Sequence, residues 1–187
     1  MRRIIHTLVI VVALATVGCV QRRANIVTSK LPAASPTPKT VQTLISSLSS
    51  PAESTRSAEE LIDLGRRSAT QRDVIIHQLI QSAESQDDLR TGQCFVLKNF
   101  DYWESATKVF AQLRAIEAID LLITTIACGN GWSGSLAQEP SLWALVDLGT
   151  VAVPKLSKAL KRERDGYVRL HLRRCLDRIQ WDKRHPP

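Results

Sequence analysis

Residues 142–160 read LWALVDLGTVAVPKLSKAL. Leu142, Leu145, Val146 and Leu148 fall on one helical face, and Val153, Leu156 and Leu160 fall on another. Pro154 fits the first turn of the second helix, where its missing N–H costs nothing. Gly149 suits a helix end that needs positive φ. The stretch is therefore a helix, a tight turn and a helix. Residues 58–80, AEELIDLGRRSATQRDVIIHQLI, and 107–126, TKVFAQLRAIEAIDLLITTI, share that layout. In each, a first helix closes near Leu64 or Leu113 and a second amphipathic helix follows; Gly65 is expected to serve as Gly149 does.

Working outward, apolar residues keep three- and four-residue spacing from Thr40 to Trp181, without the alternation of a strand. Val41, Leu44, Ile45 and Leu48 mark a helix stopped at Ser50-Pro51, and Ser54 opens the next. Cys94 and Leu97 mark a helix expected from about Asp87 to Phe100, with another from Trp103 to Leu113. Val168, Leu172, Cys175, Leu176 and Ile179 line the last. The expected fold class is all-α.

A second element also recurs, as LISSLSSPAESTRSAEELIDL near the start and LSKALKRERDGYVRLHLRRCLDRI at the end. Each holds a helix, a polar connection and an arginine, Arg56 or Arg169, opening the next helix; the stretch around Arg90 is a degenerate version. Together these patterns resemble HEAT repeats, of the short bacterial kind also seen in phycobilisome-lyase-type proteins. There an "LG…AVP.L…AL" helix pair alternates with a "D…VR…A…L" connection, and Val151-Ala152-Val153-Pro154 is the nearest stretch here. The resemblance implies a short α-solenoid of HEAT-like hairpins over residues 40–182, in which each pair buries its apolar face on its neighbours. It also implies that Arg56, Arg90 and Arg169 are structural, bonding between neighbouring repeats.

The front of the chain is of another kind. Met1-Arg2-Arg3 is positive, and Ile4 to Val17 is an apolar run too short to span a bilayer comfortably. Thr16-Val17-Gly18-Cys19 resembles the bacterial lipobox, with Thr where Leu is usual. That resemblance implies a signal peptide over 1–18 and a diacylglyceryl group on the Cys19 thiol. Residues 19–39 hold Pro32, Pro36 and Pro38 among Ser, Thr and Ala, the composition of a flexible linker. The resemblance to such lipoproteins also implies that Val20, rather than Asp, after the cysteine directs the chain to the outer membrane, facing the periplasm, in a Gram-negative cell. Residues 183–187 are expected as a disordered tail.

Candidate sites are few. Cys128 to Ser135 reads CGNGWSGS, a glycine-rich break in a helical array. Asn130 and Trp132 are candidate binding residues on it, with Cys128 as a candidate reactive thiol; the plainer alternative is a surface insertion folded back on the last repeats. Residues 155–187 hold 11 Lys/Arg against 4 Asp/Glu, while 19–154 hold 12 against 14. Lys158, Arg162, Arg169 and Arg173 are therefore candidates for binding an acidic partner, an anionic envelope polymer or lipid headgroups. A polar terminal cap gives the same composition. Trp103, Trp143 and Trp181 read as packing residues.

After Cys19, only Cys94, Cys128 and Cys175 remain, none with CxxC spacing, so neither a disulfide framework nor a zinc site is expected. His77, His171 and His185 form no HExxH or similar motif, and no catalytic residue or cofactor is expected. Export argues against nucleic acid as the target of the basic end. The expected function is a membrane-anchored, non-enzymatic scaffold for an envelope protein partner.

Overall fold

A computed structural model describes residues 40–87, 89, 97–128 and 139–185. Among them all regular structure is helical. The α-helices are α1 (Val41–Ser47), α2 (Ser54–Arg67), α3 (Ala69–Glu84), α4 (Phe100–Gln112), α5 (Ile119–Thr124), α6 (Pro140–Leu148), α7 (Val153–Arg162) and α8 (Gly166–Arg184). Short 3₁₀ turns, Ile116–Ala118 and Gly149–Ala152, lead into α5 and α7.

Side-chain caps fix several starts by satisfying N–H groups that the first turn leaves open. Thr40 Oγ1 accepts from the Thr43 amide, and Asp165 Oδ1 accepts from the amides of Tyr167 and Val168 at 2.8 and 3.0 Å. Asn99 Oδ1 accepts from the Tyr102 amide, so α4 begins at Phe100, ahead of the expected Trp103. The helix expected to run through Phe100 does not reach it, because Leu97 to Asn99 is non-helical; most of its span lies outside the described residues. At the other end α8 continues to Arg184, into the stretch expected as a tail. The His185 ring stacks on Trp181 with centroids 4.0 Å apart and its amide donates to the Trp181 carbonyl, holding that end in place.

The packing follows the chain. α1 lies on α2 and α3, and α2 on α3 and α4; α4 then meets α6, and α6 meets α8. Behind that series, α3 touches the turn ahead of α5, α5 packs on α6 and α7, and α7 packs on α8. The core runs without a break from Leu44 and Ile45, through Leu61, Leu79, Phe110 and Leu122, to Leu145, Leu172 and Ile179.

The two later turns share a device. Leu113 and Leu148 are each followed by a residue of positive φ, Arg114 at 51° and Gly149 at 71°, and then by a 3₁₀ turn. Gly149 thus does what its sequence position implied. Gly65 does not: α2 runs on to Arg67, and the glycine sits inside the helix. Its use is close approach, because a Cβ there would lie 2.7 Å from Leu113 Cδ1, itself buried where α2 meets α4. Gly65→Ala should therefore destabilise the fold by about 1–3 kcal/mol despite alanine's better helix propensity. A urea midpoint equal to or above that of the parent chain would contradict this reading of the contact.

Candidate interaction surface

Much of the arginine chemistry is structural. Arg72, near the start of α3, sends Nε to the Leu113 carbonyl and Nη2 to the Arg114 carbonyl, each at 2.9 Å. Its Nη1 and Nη2 also reach the two Glu117 carboxylate oxygens at 3.3 Å. One guanidinium thereby caps the end of α4 and ties the first hairpin to the second. Arg169 Nη1 donates to the Leu160 and Glu163 carbonyls, closing the end of α7. Arg56 is exposed and pairs with Glu60 on its own helix, and among the described residues it makes no bond to a neighbouring hairpin. Arg90 lies outside the described residues.

Two hollows lie along the side built by α2, α4, α6 and α8. The first, about 380 Å³, is lined by Thr55 of α2, Glu104 and Lys108 of α4, and Trp143 and Asp147 of α6. Burial, followed by the nearby Asp182 carboxylate, holds the Asp147 carboxyl above the usual carboxylate range. The second, about 400 Å³, is lined by Leu142, Trp143, Arg174, Asp177, Arg178 and Trp181. Trp143 belongs to both, and the Arg178 guanidinium sits 5.8 Å from its ring centroid. Asp182 holds Arg178 through Nε at 3.1 Å. Of the three tryptophans expected to pack, only Trp103 is fully buried; Trp143 is half-buried and Trp181 is exposed. An aromatic face beside fixed charges supplies contact area and orientation together.

The candidate basic residues do not form one patch. Lys158 and Arg162 flank a third hollow of about 300 Å³ between α5 and α7, with Asp120 and Lys155, which are bonded to each other at 2.7 Å. Arg173 is exposed on α8, and Arg169 is occupied by its carbonyls. Asn130 and Trp132 lie outside the described residues.

The reading of Cys128 as a reactive thiol is overturned. It is fully buried and disulfide-bonded. Cys175 is free, and Cys19 and Cys94 lie outside the described residues. A bond at Cys128 is not the disulfide framework that the cysteine spacing argued against, and spacing alone does not show which cysteines meet.

Cys175 is buried, as expected, and burial pushes its thiol up from 9.0 to about 12. The folded chain therefore keeps a proton that the unfolded chain releases above about pH 9. Stability from this group is intact below that pH and falls toward pH 12, by up to ~1.4 kcal/mol per pH unit. Tyr102, also raised by burial, reinforces the trend. Cys175→Ala should flatten the decline in stability between about pH 9 and about pH 11; an unchanged slope in urea titrations would refute the assignment.

His171 is also buried, with Nδ1 2.9 Å from Glu139 Oε2 and the Tyr167 ring edge-on at 4.4 Å. Despite that short separation, neither ring nitrogen makes an aligned hydrogen bond, and Glu139 Oε2 makes none. The pair joins α8 to the residue ahead of α6. No family model, curated protein or solved structure matches this chain.

Proposed function

We propose that the chain is an exported, lipid-anchored scaffold whose stacked HEAT-like hairpins hold a protein partner in the cell envelope, without catalysing a reaction. The observation that carries this reading is the pair of hollows joined at Trp143, which places an aromatic face between Lys108 and Asp147 on one side and Arg174 and Arg178 on the other. Contiguous packing from α2 to α8 supports a stacked arrangement, because the apolar side of each hairpin is covered by the next. The Cys128 disulfide supports export, since such bonds persist in oxidising compartments.

Binding of an anionic polymer or lipid surface is the competing reading, favoured by Lys158 and Arg162, which have no side-chain partner among the described residues. Crosslinking in intact envelopes, at salt rising from roughly 0.1 M to 1 M, separates the two as the screening length drops from about 10 Å to about 3 Å. A discrete protein adduct that survives high salt supports the scaffold. Association that disappears steeply with salt and yields no protein adduct overturns it.

A further inference from the structure

We infer that the outer side of α8 is a docking face for an acidic amphipathic helix of a partner protein. The inference deepens the scaffold reading and rests on it. Tyr167, Leu170, Arg174, Arg178 and Trp181 are spaced 3, 4, 4 and 3 residues apart, which puts them on one helical face. Tyr167, Leu170 and Trp181 are 51%, 43% and 53% exposed, so three large apolar side chains share one open helix face.

The shape of the site is that of a helix. α4 covers α2, α6 covers α4 and α8 covers α6, so the next position in the series lies on this face. The stripe from Tyr167 to Trp181 spans about 21 Å, close to four turns. Its charge selects the occupant. The two arginines stand at the centre; Arg178 is held by Asp182, Arg174 pairs with no side chain among the described residues, and α8 itself carries six Lys/Arg against Asp177 and Asp182. A second copy of α8 would bring like charges together, which disfavours self-association. The partner helix should carry carboxylates at its middle and apolar residues at both ends, the latter meeting Trp181 and the Tyr167–Leu170 pair.

The test places a photo-crosslinking amino acid at Leu170 or at Asp177 in the full-length chain, in its own envelope, and sequences the captured peptide. An acidic segment with apolar residues at three- and four-residue spacing is the expected product. Arg174→Glu with Arg178→Glu should cut its yield at least about tenfold, while Arg173→Glu, a single charge reversal off the stripe, should not. Helicity and melting of each variant, measured in parallel, show that the fold is intact. Capture of a second copy, of lipid alone, of a basic segment, or of nothing overturns the inference. A probe at Thr55 in the first hollow keeps the two readings distinct: protein adducts there with none on α8 remove the docking face and leave the scaffold.

Discussion

Trp103→Ala should cost the fold about 3–5 kcal/mol, from the lost transfer energy of the ring and the cavity it leaves. The ring is completely buried and meets Phe110 edge-on at 6.3 Å. Its Nε1 donates to Ser141 Oγ at 2.9 Å; Ser141 Oγ lies 2.9 Å from Thr125 Oγ1, which in turn donates to the Leu121 carbonyl at 2.8 Å. All three side chains are buried, so the chain of bonds ties α4, the start of α6 and the end of α5 where water cannot substitute. A domain of ordinary stability holds about 5–15 kcal/mol in all, so this one change removes a large share. Trp103→Phe keeps most of the apolar volume and deletes the donor, and should cost about 1–3 kcal/mol. Ser141→Ala leaves the indole N–H buried and unpaired, with a cost of similar size. Combined, the last two should cost less than their sum, with a coupling of about 0.5–3 kcal/mol. Urea unfolding followed by far-ultraviolet circular dichroism reads all four variants. Strict additivity, or a Trp103→Ala midpoint close to that of the parent, would place the indole outside the network.

The contrast among the tryptophans shows how far the sequence reaches. Trp103, Trp143 and Trp181 all stand at helical positions, and their spacing is equally compatible with packing. What separates them is the neighbouring helix: Trp103 is enclosed between α4 and α6, while Trp181 on α8 has no covering helix among the described residues. Periodicity reports which face of a helix is apolar, and it finds α1, α2, α6, α7 and α8 well because their signals are local. Gly149 was legible for the same reason, since the demand for positive φ arises within its own turn. Gly65 was not, because its partner Leu113 comes from another helix. Arg72 escaped for a related reason. The resemblance directed attention to arginines that follow polar connections, and of these Arg169 does cap a helix end. The guanidinium that joins two hairpins stands inside an ordinary polar stretch, SATQRD, with no sign that the end of α4 lies beside it. The candidate surface was legible only as composition. A net basic end does not reveal that Lys158 and Arg162 flank one hollow while Arg174 and Arg178 line another.

Cys19→Ala should move the chain almost entirely from the membrane fraction to the soluble fraction. Among the described residues no helix is long and apolar enough to cross a bilayer. On the lipobox reading, the thiol of Cys19 carries two acyl chains. Each buried methylene contributes about 0.8 kcal/mol, and one chain alone binds only marginally. Loss of the thiol removes both chains at once. The disulfide makes the experiment sharper, because an acylated sulfur cannot also be bridged. If Cys19 carries lipid, the half-cystine opposite Cys128 is Cys94, and that bond must survive in Cys19→Ala. Peptide mapping under non-reducing conditions, after alkylation in denaturant, should then find Cys128 still bridged and Cys175 as the alkylated thiol. Cys128 newly open to alkylation in Cys19→Ala would identify Cys19 as its partner and exclude acylation of that sulfur. A variant that stays in the membrane fraction with its disulfide intact would show that the tether is not this lipid.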